Sequence, residues 1–536
     1  MNTKYRLDGL TRIVLVIFGI YLSLTLIASF LVAPFIDYAC KVSIEVTSVF
    51  IVLPLSLIII IFLMQKKANE NVVSFLSGHI NQIGFLFFLL AILAQVFFEY
   101  SAGFQNGWDV EVLTARARGV TDLSAYSGYL SQYPNQLFLF GLYCKIASLG
   151  TLLSIDPYKL LVLVSCLCVD ISVFLIYKIC VCLFGALSGL KFQFISFFFV
   201  CLSPWVLVPY SDTFGMLFTS LIIWCFILVP NQVVSLLLIA FFTIIGYKIK
   251  PTVIFVSASI FLMQGFLAFF GRKTNGAFKG KKLKQQNSCM GKKLVAIICG
   301  VVIAIPVCNY VSGSYVSINN DASYGMTHFL AMGINPTAKG VYSVEENIIS
   351  SSISNPNERK KAQIQLWQDH LSDLGPVGLS KLLFKKNMTN YADGTFAWKQ
   401  EGGFFSSVSG KSKLVRSWFG ITSDEAEETS SSFINGERCF RLISHSVWIS
   451  VLVLDVIKCL RFVLSKTCSN SKQSQVVATM ALSLIMLSGF LLIFECRARY
   501  LFLYVLFYIA IAISEASSEA EYRSKLGGVI AAAHMR

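Results

Sequence analysis

Residues 251–312 read PTVIFVSASIFLMQGFLAFF, then GRKTNGAFKGKKLKQQNSCMGK, then KLVAIICGVVIAIPVCNYVS. Each apolar flank has the length a helix needs to cross about 30 Å of hydrocarbon. Between and bordering them lie Arg272, Lys273, Lys279, Lys281, Lys282, Lys284, Lys292 and Lys293, with no acid. A basic loop joining two spans marks the cytoplasmic side of a membrane, where it can also meet anionic lipid headgroups. This stretch sets both the fold class and the orientation of the chain. It reads as a helical protein threaded through a bilayer.

The rest of the 536 residues agrees: 55% are hydrophobic and 14% charged, with a mean hydropathy of +0.68. Soluble chains carry about 25% charged residues. The composition therefore excludes an ordinary soluble enzyme, a secreted disulfide scaffold and a disordered chain. The net charge of +15 is concentrated in loops between spans, so nucleic acid is not expected as a partner. Apolar blocks lie at about 10–33, 43–64, 80–98, 136–153, 159–183, 192–210, 213–230, 232–247, 251–270, 293–312, 445–464, 476–495 and 500–514. The first is too long for a signal-peptide core and is expected to be an uncleaved span.

Lys4, Arg6 and Arg12 before the first block, with Lys66 and Lys67 after the second, place the N-terminus in the cytoplasm. Three crossings then carry residues 100–135 to the outer face. Counting back from the basic loop also puts Ser211 and Asp212 outside. An even number of crossings must separate two outer segments, yet three blocks lie there. Block 136–153 is the shortest of the three and is interrupted by Lys145. It is expected to be a re-entrant or juxtamembrane helix shielded by its neighbours. The expected fold is an all-α polytopic membrane protein with about twelve transmembrane helices and both termini cytoplasmic. Its segments are 1–79 (an N-terminal helix pair), 80–312 (the main transmembrane module), 313–444 (an extracytoplasmic soluble segment with an acidic run at Asp424–Glu428) and 445–536 (C-terminal helices and a cytoplasmic tail).

Polar residues at the outer boundary are the candidates for chemistry, because ionisable groups beside hydrocarbon are costly. Trp108, Asp109 and Glu111 follow the third span; the Trp suits an interfacial anchor, and a carboxylate there can serve as a general base. Tyr133, Pro134 and Asn135 open the non-crossing block, where Pro suits a helix start. Asp212 stands at the outer end of a span, as an N-cap or as a functional acid. Lys248 and Lys250 lie on the side that the positive-inside tendency disfavours, as do Arg497 and Arg499. They either snorkel or bind an anion, for which Arg offers a fork of donors matched to phosphate. Acids and bases on one face of one membrane suit a lipid-phosphate donor with an acceptor hydroxyl activated by a carboxylate. The histidines lack metal-ligand spacing, and no Walker loop or G-x-S-x-G elbow occurs.

Trp108-Asp109 followed by Tyr133-Pro134-Asn135 resembles the class C glycosyltransferases. More narrowly, the chain resembles a Gram-positive branch related to the protein mannosyltransferases of glycosyltransferase family 39. Tyr210-Ser211-Asp212-Thr213, Thr327-His328-Phe329 through Met332-Gly333, Gly340-Val341-Tyr342, Asp393-Gly394-Thr395-Phe396, Glu495 and Arg499-Tyr500 extend the likeness over about residues 80–505. The resemblance implies that 80–312 is the catalytic module, with juxtamembrane helices in the first outer loop, and that Asp109 is the catalytic base. It implies a polyprenyl-phosphate sugar donor used with inversion at the anomeric carbon. One departure is visible: many protein mannosyltransferases carry adjacent acids in this loop, whereas Asp109 and Glu111 are separated by Val110.

The expected function is sugar transfer on the outer face of a bacterial plasma membrane to an envelope glycan, lipid or protein. Asp109 deprotonates the acceptor, Lys250, Arg497 and Arg499 hold the donor phosphate, and Asp212 with Glu111 serves the acceptor or a cation. Trp108, Tyr133, Asn135, His328 and Glu495 complete the motif set. No cofactor is assigned, although the acids leave room for a divalent cation. The alternatives are a polysaccharide or lipid transporter, and a glycan ligase or polymerase using a diphosphate-linked donor.

Overall fold

The computed structural model describes residues 3–39, 46–65, 75–271, 281–402, 405–407, 412–421, 436–464 and 472–515. Lys66, Lys67, Arg272, Lys273, Lys279 and the run Asp424–Glu428 lie outside them. The described residues are overwhelmingly helical. Seven of their helices are long and apolar enough to cross a membrane: Gly9–Leu31, Ile80–Ala102, Pro157–Phe184, Ser211–Leu228, Gln232–Ile249, Gly291–Ser312 and Lys472–Ile493. Val49–Met64, Ala186–Cys201 and Pro251–Gly265 are shorter apolar helices. Ile13, Ile17, Ile20 and Leu24 on the first helix, and Leu93 and Val302 on others, are exposed. A soluble protein buries such rows; here they suit hydrocarbon.

In chain order the elements used below are α1 (Thr3–Leu31), α2 (Val46–Met64), α3 (Ile80–Ala102), β1 (Phe104–Asn106), α4 (Asp109–Leu113), α5 (Ser127–Gln132) and α6 (Leu137–Leu152). Then come α7 (Pro157–Phe184), α8 (Ala186–Ser196), α9 (Ser211–Leu228), α10 (Gln232–Ile249), α11 (Ile254–Gly271) and α12 (Lys281–Ser312). The segment after α12 holds α13 (Gly325–Gly333), α14 (Val344–Ser352), α15 (Pro356–Tyr391), α16 (Trp398–Gly402), β2 (Phe405–Ser407) and α17 (Lys413–Phe419). The chain closes with α18 (Gly436–Leu464), α19 (Lys472–Ile493), α20 (Arg499–Phe502) and α21 (Val505–Ile513). Helix α1 packs along α18, α7 along α9, and α10 along α12. Every residue of α21 is buried, and it packs against α18, α8, α19 and α7.

Contacts define the two ends of this bundle. At one end Tyr177 donates to the Ile80 carbonyl at 2.5 Å, Lys191 to Leu63 at 2.7 Å, and Gln473 to Leu183 at 2.6 Å. Helix α6 stays at the opposite end. A Cβ on Gly141 would lie 2.2 Å from the Val311 carbonyl oxygen, so only glycine lets α6 lie on the last turn of α12. One turn on, the Lys145 ammonium sits 3.9 Å from the Tyr310 ring. The chain then turns into α7, where Asp156 caps Tyr158 and Lys159 through their backbone N–H groups. Tyr158 lies beneath Arg118 of the first loop. Both ends of α6 thus lie at the end of the bundle that also carries α4, α5 and α16.

A two-stranded antiparallel ribbon pairs β1 with β2, Gln105 opposite Ser406. It ties the first loop to the far segment of the chain that follows α16. Pro376 follows Gly375, whose φ of 56° breaks the helical path of α15.

Candidate functional site

Helix α3 ends at Gly103, in the left-handed conformation, and the chain then turns through β1 into Trp108. Trp108 has φ 57° and ψ −140°, a conformation that costs a bulky residue about 1–3 kcal/mol. It is half-exposed and meets the Tyr342 ring edge-on at 5.9 Å. The turn places Asp109 at the first position of α4, where a carboxylate suits the positive end of the helix. Arg118 stiffens the loop by donating to the Asn106 carbonyl and, at 2.8 Å, to the Thr114 hydroxyl.

Two tyrosines grip Asp109. The Tyr129 hydroxyl of α5 donates to Oδ1 at 2.6 Å, and the Tyr210 hydroxyl donates to Oδ2 at 2.9 Å. Burial and the neighbouring carboxylate push the Tyr129 hydroxyl above its usual range, which keeps it a proton donor. Tyr133 and Tyr342 are raised as well, chiefly by burial, and both feel Asp109 and Glu495. Asp109 is therefore a carboxylate fixed between two tyrosine hydroxyls, and the site around it is called the recess below.

Tyr210 connects this acid to the cations, because the Arg499 guanidinium lies 3.6 Å from its ring centroid. Arg499, on α20, pairs with Asp212 Oδ2 and donates from Nε to Glu401 Oε2 at 3.0 Å. Asp212 also pairs with Lys250 Nζ at 3.1 Å, and that ammonium rests 3.9 Å from the Tyr500 ring. Arg497 meets Glu495 at 3.1 Å and Glu401 at 3.6 Å, while Tyr500 donates to Glu495 at 3.3 Å. Gly215 makes this junction possible: a Cβ there would lie 2.8 Å from the Leu503 side chain and 3.3 Å from Lys250 Cβ.

The structure thus brings Trp108, Asp109, Tyr133, Asp212, Lys250, Glu495, Arg497 and Arg499 to one end of the bundle. The N-cap of α9 is Tyr210, not Asp212, so the capping account of Asp212 gives way to its two ion pairs. Snorkelling likewise fails for Lys250 and Arg499, whose charged ends turn onto buried carboxylates. Glu111 is exposed on α4 and Asn135 is exposed at the entry to α6. His328 is on α13, its Nδ1 2.9 Å from the Ser350 hydroxyl, with Tyr324 between it and Tyr133.

Sequence reasoning missed Glu401 and Tyr129. Glu401 had no motif around it; Tyr129, four residues before Tyr133 on one helical turn, could have been found from that spacing. Among the described residues no three His, Cys, Asp or Glu side chains form a metal-holding group. Three cations and the carboxylates of Asp212, Glu401 and Glu495 interlock beside Asp109. Such an arrangement can hold an anionic group and take a proton from a hydroxyl in the same recess.

A family model described as "conserved hypothetical integral membrane protein" matches residues 7–518, and the chain belongs to that family. Neither the curated proteins nor the solved structures return a match.

Proposed function

We propose that this integral membrane protein is an inverting glycosyltransferase that uses a polyprenyl-phosphate sugar at the outer face of a bacterial plasma membrane. The observation that carries the reading is the junction of one held carboxylate with a cluster of cations. One carboxylate, Asp109, is held by two tyrosine hydroxyls, and Arg499 stacks on the second of those tyrosines. In the proposed step the acceptor oxygen attacks the anomeric carbon and its proton passes to Asp109. The bond from that carbon to the donor phosphate breaks, and polyprenyl phosphate leaves against Lys250, Arg497 and Arg499. Tyr129 and Tyr210 orient Asp109. Trp108, Tyr133 and Tyr342 give the recess aromatic walls for a sugar.

The likeness to class C glycosyltransferases supports this reading, and so does the placement of both ends of α6 at the site end of the bundle. With α6 not crossing, twelve crossings put the termini in the cytoplasm and the recess outside. Envelope glycan, lipid or protein is then the acceptor, and a diphosphate-linked donor defines the ligase alternative. The transporter reading draws on acids deep in the bundle. Asp170, which accepts from Gln95 at 2.8 Å, is one; Asp455, fully buried on α18, is another.

Purified protein incubated with polyprenyl-phosphate and polyprenyl-diphosphate sugars, followed by release of the polyprenyl carrier, tests the proposal. Turnover with the monophosphate donor is expected. Release only from diphosphate donors would favour the ligase, and substrate uptake into proteoliposomes without release would favour the transporter. Reporter fusions at residues 120, 212 and 380 should read outside.

A further inference from the structure

The motif Asp393-Gly394-Thr395-Phe396 has no part in the step above, and its geometry leads to Glu401. Asp393 is buried and accepts hydrogen bonds from the Thr395 backbone N–H at 2.8 Å, the Thr395 hydroxyl at 2.8 Å and the Ala397 backbone N–H at 2.8 Å. These bonds hold Phe396 and Ala397 in consecutive left-handed conformations, with φ of 55° and 60°. Neither is glycine, and that region is disfavoured for both. The turn launches α16, whose Glu401 carboxylate reaches between two arginines supplied by a different part of the chain. Its Oε2 accepts from Arg499 Nε at 3.0 Å. Its Oε1 is buried, makes no hydrogen bond among the described residues, and stands 3.6 Å from Arg497 Nη1.

A carboxylate is planar, and here one of its oxygens is well bound while the other is merely near a cation. A phosphate presents tetrahedral oxygens and prefers arginine forks. Arg497 also pairs with Glu495 and Arg499 with Asp212, and a phosphate entering between them can accept from both guanidiniums in place of Glu401. The position between Arg497 and Arg499 is therefore an oxyanion subsite filled by the protein's own side chain.

We propose that Glu401 occupies the donor-phosphate subsite, and that the phosphate of a lipid-linked ligand binds by displacing its carboxylate from Arg497 and Arg499. The subsite rests on the functional reading above, which it deepens by naming the side chain that the anion must replace. It takes a phosphate ester, and it ties ligand binding to movement of α16.

Farnesyl phosphate and farnesol form a matched pair of probes, since they share a tail and differ in the phosphate. Binding to the full-length protein in detergent is measured for the parent, Glu401→Gln and Glu401→Asp, with melting recorded for each. Glu401→Gln removes the competing charge, so farnesyl phosphate should bind about tenfold more tightly, the effect of about one charge-assisted contact, with farnesol unchanged. Glu401→Asp keeps the charge but shortens its reach, and should fall between. Unchanged or weaker phosphate binding in a Glu401→Gln protein that melts like the parent would overturn the subsite. So would equal gains for phosphate and alcohol. If Glu401→Gln is poorly folded, Glu401→Asp decides by the same criterion. The subsite and the glycosyltransferase reading fail separately. Tighter phosphate binding without sugar transfer from any donor leaves the subsite standing alone. Sugar transfer with phosphate affinity indifferent to Glu401 leaves the enzyme standing without it.

Discussion

Lys250, partly buried, and Lys386, fully buried, are cations near the same end of the bundle, yet they are held in opposite ways. Lys250 faces a carboxylate, Asp212, and the open face of Tyr500. Lys386, fully buried on α15, donates to the Leu492 carbonyl at 2.8 Å, to Phe494 at 2.7 Å, and to Gly333. Burial pushes its ammonium down to about 8. The Leu492 and Phe494 carbonyls end α19, where a cation suits the negative end of a helix. Cys496 then donates its backbone N–H to Gly340. Lys386 therefore fixes the start of the segment bearing Glu495, Arg497 and Arg499. The difference separates roles: a cation paired with a carboxylate can exchange that partner for a ligand anion, whereas one satisfied by backbone carbonyls is a rivet.

Asp109→Asn keeps the shape of the recess and removes the proposed base, so sugar transfer should fall about 10²–10⁴-fold with the melting temperature unchanged. Activity within a few-fold of the parent would remove Asp109 from the mechanism. Arg499→Met leaves Asp212 and Glu401 as buried acids without their shared partner. A stability loss of about 3–5 kcal/mol is expected, measured by denaturation in detergent, and Arg497→Met should cost far less because its side chain is more exposed.

The two lysines then separate directly. Lys386→Met strips three carbonyls of their donor and should destabilise by about 3 kcal/mol, leaving farnesyl phosphate affinity intact in the folded fraction. Lys250→Met should weaken that affinity by about 1.5–3 kcal/mol. The opposite pattern would exchange their roles. The smallest effect is a slope. Lys386 titrates at about 8 in the folded chain against 10.5 for an ordinary lysine. Between those values the unfolded chain holds the extra proton, so the Lys386 contribution to stability grows as pH rises to 10.5 and is lost as pH falls through 8. The gain is about 1 kcal/mol per pH unit. Melting of the parent relative to Lys386→Met across pH 8–10 should show it, and parallel curves would contradict it.

The positions of Asp109, Asp212, Lys250, Arg497 and Arg499 were legible because each borders an apolar block. Charged side chains avoid hydrocarbon, so they collect where a span ends, and hydropathy finds those points. Glu401 was not legible, since it sits in a polar segment where an acid is ordinary. His328 belongs to a conspicuous motif, and its partners, the Ser350 hydroxyl and the Tyr324 ring, come from the fold and not from that motif's pattern.

By itself the sequence determined that the chain is a helical membrane protein, where its apolar helices run, and which residue types stand at their ends. Hydrophobic length and charge placement are local properties, and each window of sequence carries its own answer. Only the tertiary structure decided which acid meets which cation. Arg499 reaches Asp212 across 287 positions of chain and Glu401 across 98, while Tyr210 reaches Asp109 across 101. Those partners are chosen by how helices pack on one another, and no local pattern encodes the choice. The pairing that makes a recess from scattered boundary residues is a property of the packed bundle, because opposite charges far apart in the chain interact only once burial has brought them within a few ångströms.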